Sequence, residues 1–301
     1  MGGVFFINSG LIGILRQSNI MKIAISLLSM LFSIVYAPSG EKSYTASTPA
    51  APVIRSFLGI PSNDSIDFIR WQITISGNHY TLHCNYGIGK PNTNGFINGG
   101  GKIDLEGELK KEKNIYQLRN GDKILKMAEL NADLLHFVNP DNSLLIGNGG
   151  WSYAINNLSP SVTDQLNGIV PAKQTILKDS IAFEGRTPCG VPGIITPGAQ
   201  CYKLKWYVVL YADTRNNQPM TYRLFGTPHR KEGGKKGTWK IITGKDGRII
   251  YQLYDDSGKA FINLLKLDEN ILVFTDTKGN LLVGNEDFSY TLNKSARFLK
   301  I

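Results

Sequence analysis

Leu144-Leu-Ile-Gly-Asn-Gly-Gly-Trp-Ser-Tyr-Ala-Ile-Asn156 and Leu281-Leu-Val-Gly-Asn-Glu-Asp-Phe-Ser-Tyr-Thr-Leu-Asn293 are the same stretch written twice, 281 minus 144, or 137, residues apart. The match runs back without a gap to Gly121 and Gly258, placing Leu130 on Leu267, Leu135 on Leu272 and Phe137 on Phe274. With small gaps it continues upstream. Ile115-Tyr116-Gln117-Leu118 falls on Ile250-Tyr251-Gln252-Leu253, and Arg70-Trp71-Gln72-Ile73 on Lys205-Trp206-Tyr207-Val208. Each copy has the length of an independent domain, about 100 residues or slightly more. The expected organisation is therefore repeat one over 57–156 and repeat two over 183–294. They are joined by a 157–182 linker that carries Pro160, Gly168 and Pro171.

Within each copy the apolar pattern has period two, as in Trp206-Tyr-Val-Val-Leu-Tyr211 and Ile249-Ile-Tyr-Gln-Leu-Tyr254. Such aromatic and β-branched runs, separated by turns such as Ser257-Gly258 and Lys278-Gly279-Asn280, read as short antiparallel strands. Roughly eight runs per copy suffice to close a small up-and-down barrel, which removes the exposed edges of an open sheet. The fold expected is all-β, two small antiparallel barrels in tandem.

Composition agrees. In 301 residues, 42% hydrophobic and 19% charged side chains exclude extended disorder for most of the chain. Three Cys and four His exclude a multi-zinc scaffold or a dense disulfide framework. The net charge of +9 is unevenly placed: Arg215 to Arg248 carries nine basic residues against Glu232 and Asp246, or +7. Arg230, Lys231, Lys235 and Lys236 form the candidate contact patch for an anionic partner. They lie among glycines without the aromatic interleaving of single-strand binders, so no nucleic acid is expected.

Lys22 precedes an apolar run from Ile23 to Tyr36, 36 minus 22, or 14, residues long, ending in the small-x-small pattern Val35-Tyr36-Ala37. That is short of the roughly 20 residues of a membrane span and fits the apolar region of an export signal. Residues 1–37 are read as a signal peptide, with Met21 as the natural start. No Cys follows to accept a lipid anchor. The segment 38–56, rich in Pro, Ser, Thr and Ala, reads as a flexible linker.

Copy two then runs Phe183-Glu-Gly-Arg-Thr-Pro188-Cys189, Gly193-Ile194, Gly237-Thr238-Trp239, Asp276-x-x-Gly279-Asn280 and Phe288-Ser-Tyr290-Thr-Leu292. In order and spacing it resembles the amino-terminal domain of NlpE-type envelope proteins. The resemblance implies a lipocalin-like barrel in the bacterial periplasm or cell envelope, linked by family to copper resistance and envelope stress. Pro192 stands at the second Cys of the family's Cys-x-x-Cys, and copy one has Phe57-Leu-Gly-Ile-Pro61 in place of the motif.

Cys189 and Cys201, 12 positions apart, have three readings: a disulfide closing their loop, a metal or redox pair, or free thiols. Cys84 reads as a buried strand residue. His79 and His83 lie on one strand, about 13 Å apart on the same face, too far to share an ion, and no metal or other cofactor is expected. There is no Gly-x-Ser-x-Gly elbow, and Gly87-Ile-Gly89 and Gly99-Gly-Gly101 open no helix. The function expected is non-catalytic. Trp71, Tyr116 and Trp151 in copy one and Trp206, Trp239 and Tyr251 in copy two are expected to line the barrels, as packed core or as the wall of an apolar pocket. The partner is then a small apolar or anionic ligand or an envelope protein, with membrane contact through an uncleaved signal or the basic hairpin. The alternative is a structural or adhesive module with solid barrels.

Overall fold

The computed structural model describes residues 40–160, 177–194, 200–244 and 247–297. The signal segment 1–37 and the greater part of the 157–182 linker lie outside the described residues. The chain folds as two closed eight-stranded antiparallel barrels in tandem. The first comprises β1 (Lys42–Thr48), β2 (Phe68–Ser76), β3 (His79–Gly87), β4 (Gly101–Glu112), β5 (Ile115–Asn120), β6 (Lys123–Asn131), β7 (Leu134–Val138) and β8 (Ala154–Asn157). The second comprises β9 (Ser180–Thr187), β10 (Leu204–Asp213), β11 (Gln218–Gly226), β12 (Lys235–Thr243), β13 (Ile249–Tyr254), β14 (Ala260–Lys266), β15 (Ile271–Thr275) and β16 (Thr291–Lys294). Pairing of β1 with β8 and of β9 with β16 closes each ring.

Alternation builds the interiors. On β2, Ile69, Trp71, Ile73 and Ile75 point inward and pack with Leu82, Cys84, Leu118, Met127 and Phe137. Cys84 is thus buried in the first core. Trp206, Val208, Leu210, Leu253 and Phe274 repeat the arrangement in the second barrel.

The first barrel begins earlier than the sequence suggests, because β1 lies inside the stretch read as a linker. Its Ser, Thr and Ala composition hides a period of two. Tyr44 and Ala46 face inward opposite Ile73 and Trp71, and the small Ala46 leaves room for the indole. The true counterpart of Thr187-Pro188 is Thr48-Pro49, not the stretch at Phe57. In both halves the threonine hydroxyl accepts the core tryptophan's indole N–H, Trp71 to Thr48 and Trp206 to Thr187, at 2.8 Å.

Beyond its Thr-Pro, each half closes one end of its barrel by a different device. In the first, helix α1 (Pro52–Leu58), with Pro at its first turn, buries Ile54, Phe57 and Leu58. In the second, Cys189 and Cys201 are disulfide-bonded across a 12-residue separation, and Val191 is buried in the core while the Gly190 N–H donates to Tyr290 Oη at 3.1 Å. Constraining a loop of this size in the unfolded chain contributes about 3 kcal/mol. Reduction is expected to lower the unfolding free energy by about that amount, read from urea denaturation with and without reductant. An unchanged midpoint would show that Val191 and Tyr290 hold the loop by themselves.

The barrels meet through a seam that explains why β7 and β15 are buried at every residue. Leu130, Leu134 and Ala154 pack with Leu265, Leu267, Ile271, Val273 and Leu281. The polar contacts are reciprocal: Gly147 N–H donates to Asn293 Oδ1 at 2.7 Å, and Gly284 N–H donates to Asn156 Oδ1 at 2.8 Å. Ser152 Oγ meets Ser289 Oγ, its own repeat equivalent, at 2.5 Å. Contacts of residue i with j and of j with i define an isologous interface, here between two halves of one chain. Both glycines are required by close approach, since a Cβ at Gly147 or Gly284 would lie 2.2 Å from the carbonyl oxygen of Trp151 or Phe288.

Candidate anion-binding face

Five of the six aromatic residues expected inside the barrels are there, packed and mostly hydrogen-bonded. Trp71 and Trp206 lean on Phe137 and Phe274 with ring centroids 4.8 Å apart in both cases. Trp239 donates its indole N–H to the Tyr211 carbonyl at 2.8 Å and packs against Tyr251. Tyr116 accepts a hydrogen bond from Lys111 Nζ at 3.0 Å and faces Glu129, which Lys111 also pairs at 2.6 Å. Burial pushes the Tyr116 phenol up, against the pull of Lys111, and pushes that of Tyr251 up as well. An edge of Trp239 borders a cleft of about 780 Å³ beside Pro219 and Met220, where β11 has left its ladder with β12.

Trp151 is the exception. It is not in the barrel interior but on the seam, stacked on Phe68 at 4.7 Å, with Phe68 in turn stacked on Phe96 at 4.4 Å. The cause is a tight turn: Asn148 Oδ1 accepts the N–H groups of Gly150 and Trp151 at 3.0 Å, which rotates Trp151 away from the strand alternation that Tyr153 and Ile155 obey.

The basic hairpin lies where the sequence places it, between β11 and β12. Arg230 and Lys231 are exposed at its tip, Lys236 is exposed on β12, and Lys235 Nζ sits 4.7 Å from the Phe261 ring centroid. Lys205, Phe225, Thr227, His229, Arg230 and Lys231 line a cleft of about 430 Å³. Burial, then the charge of Lys235, lowers the pKa of the His229 imidazole.

Lys205 extends this face toward the seam, because its β10 position pairs with Arg186 on β9. The half-buried guanidinium of Arg186 lies 5.3 Å from the Trp151 ring centroid. Desolvation pulls Arg186 below the usual arginine range. Lys203 Nζ lies over Tyr202 and Phe288, at 5.2 and 5.3 Å. Desolvation, then Arg186 and Lys205, lower its pKa, with Asp287 pulling the other way. Asp287 is itself engaged by Arg70 at 2.6 Å and Asn94 at 2.8 Å. Neither Arg186, Lys203 nor Lys205 has an ion-pair partner among the described residues. Sequence reading missed Arg186 and Lys203, which lie outside the basic run and join it only when β9 pairs with β10.

Histidines 79 and 83 are exposed on the outer face of β3, where His83 Nδ1 lies 2.6 Å from Asp104 Oδ1. His136 is fully buried on β7, and desolvation pushes its pKa down to about 4. In comparisons with known proteins, no family model, no curated protein and no solved structure matches this chain.

Proposed function

We propose that this chain is a non-catalytic, exported protein of the bacterial envelope, resembling the NlpE-type amino-terminal domain, that binds an anionic ligand or partner on the outside of its second barrel. The observation that carries this reading is the uncompensated basic face running from Arg230 and Lys231 through Lys205 to Arg186. Each barrel interior is filled by large side chains packed into one core cluster, which supports placing recognition on the outer surface. Copper binding at the family's Cys motif is not part of the proposal. Cys189 is held in a disulfide, and Pro192 offers no thiolate. A structural or adhesive module is the second reading, favoured by the same filled interiors and by the reciprocal seam.

Sedimentation with phosphatidylcholine vesicles, with and without phosphatidylglycerol, separates the two. Binding is expected only to the anionic vesicles, and Arg230→Glu with Lys231→Glu is expected to weaken it about tenfold or more, at roughly 1 kcal/mol per basic residue near the surface. Equal sedimentation of both proteins, or none, favours the structural reading. A fluorescent fatty acid is expected to give no saturable signal; a saturable one would place the ligand inside a barrel.

A further inference from the structure

The two halves of the seam are built alike but charged differently. In one half, Arg70 on β2 faces the loop that carries Glu286 and Asp287. The Ser47 hydroxyl donates to the Glu286 carbonyl at 2.8 Å, and Arg70 pairs with Asp287 at 2.6 Å. Register places Ser47 beside Arg70 on the paired strands β1 and β2. In the other half, the positions of Ser47 and Arg70 are taken by Arg186 and Lys205, again side by side on paired strands. The loop facing them is Gly149-Gly150, the 137-residue equivalent of Glu286-Asp287 (286 minus 149). One half therefore sets a single cation against an acid. The other sets Arg186 and Lys205 against Gly149-Gly150, where the Glu184 carboxylate beside Gly149 is engaged by Arg297, and Lys203 lies between the two halves, over Phe288.

The geometry of Gly150 matches that exchange. A Cβ built on Gly150 lies 3.8 Å from Arg186 Cζ and Nη1, so a carboxyl group at this position would reach the guanidinium as Asp287 reaches Arg70. The floor is aromatic, with Arg186 over Trp151 and Lys203 over Phe288. Arg186 and Lys203 are half-buried and Lys205 is exposed, and the carboxylates at hand are already engaged, Asp287 by Arg70 and Glu184 by Arg297. Cations gathered in this way are costly unless a further anion joins them, and their number suits a doubly charged group better than a single carboxylate.

We infer that the seam beside Gly150 is a binding site for a phosphate-class oxyanion, held by Arg186, Lys203 and Lys205 against Trp151 in the place that Asp287 fills in the other half. The inference rests on the reading that this face takes an anion, but not on the hairpin tip. The same chemistry is offered by soluble phosphate or pyrophosphate and by a phospholipid headgroup.

The test uses the full chain with ¹⁵N-labelled tryptophan, whose four indole N–H signals are distinguishable by substitution. Titration with inorganic phosphate and pyrophosphate is expected to shift the Trp151 signal saturably and to leave those of Trp71, Trp206 and Trp239 in place. Gly150→Asp copies the loop of the other half and is expected to weaken binding about tenfold or more, while Gly150→Ala retains it within about threefold. Arg186→Gln is expected to behave like Gly150→Asp. Vesicles containing phosphatidic acid, whose phosphomonoester can carry two charges, form the second arm: stronger protection of Trp151 by vesicles than by soluble phosphate, lost in Gly150→Asp, assigns the site to a headgroup, and the reverse order assigns it to a soluble phosphate. No saturable shift of Trp151 in either arm, or binding by Gly150→Asp equal to that of the parent, overturns the inference. If vesicle binding then still depends on Arg230 and Lys231, the broader anionic reading survives without this site.

Discussion

Replacing Trp206 by Ala is expected to destabilise the protein by about 3 to 5 kcal/mol, and replacing Trp71 by Ala to do the same. Both indoles are almost fully buried, both lean on a phenylalanine, and both donate to a threonine on the first strand of their barrel. Truncation removes the apolar contact and leaves a cavity at the point where the first two strands of each barrel pair. Trp206→Phe is expected to cost less than half as much, because the ring still meets Phe274 and Thr187 Oγ1 keeps its bond to the Pro188 carbonyl at 2.8 Å. Urea denaturation followed by circular dichroism reads the effect as a shift of roughly 1 M or more in midpoint for the alanine variants. It also tests the seam. With apolar packing and reciprocal Asn156 and Asn293 contacts joining the barrels, either substitution should move one common transition. A biphasic curve in Trp206→Ala, with the first barrel unaffected, would mean that the barrels unfold separately.

The fold was legible because two independent signals agreed. A gapless repeat declared two like domains, and period-two apolar patterning declared strands. The features that escaped were local. Thr45, Ala46 and Ser47 look like linker composition, yet a strand needs only alternate inward residues, and Ala46 is small because Trp71 lies opposite. Trp151 obeys the barrel's alternation on paper and is turned outward by the Asn148 side chain. The seam is a tertiary fact, but it left a trace in sequence: of the outward positions in Leu134 to Val138 and Ile271 to Thr275 only His136 and Thr275 are polar, the near-continuous apolar run of strands covered on both faces. The charge asymmetry was visible too, as Gly149-Gly150-Trp151 against Glu286-Asp287-Phe288. Its meaning depended on knowing that Arg186 and Lys205 stand opposite.

Acid should find the same seam through His136. This residue lies on β7 with its outward neighbour Leu134 in the seam cluster, and its repeat equivalent, 137 residues on, is Val273, also in that cluster. Nδ1 lies 2.8 Å from the Phe137 carbonyl and so carries the hydrogen; Nε2 is buried without a hydrogen-bond partner among the described residues. Protonation would place a charged N–H there, and desolvation accordingly pushes the pKa down to about 4 from its ordinary 6.5. The unfolded chain therefore takes up the proton first. Stability is undiminished above about pH 6.5, falls as pH drops from there toward 4, and levels off below 4 with a total loss of about 3 kcal/mol. His136→Val, which copies the other half, should fold, because the Phe137 carbonyl still accepts Leu145 N–H at 3.1 Å and Val273 already packs in the equivalent place. Its urea midpoint at neutral pH should be unchanged or higher. Between pH 7.5 and pH 4.5 the parent should lose about 2 to 3 kcal/mol more than the variant. Equal losses in the two proteins would assign the acid sensitivity to the carboxylates instead and leave His136 a neutral packing residue at every pH tested.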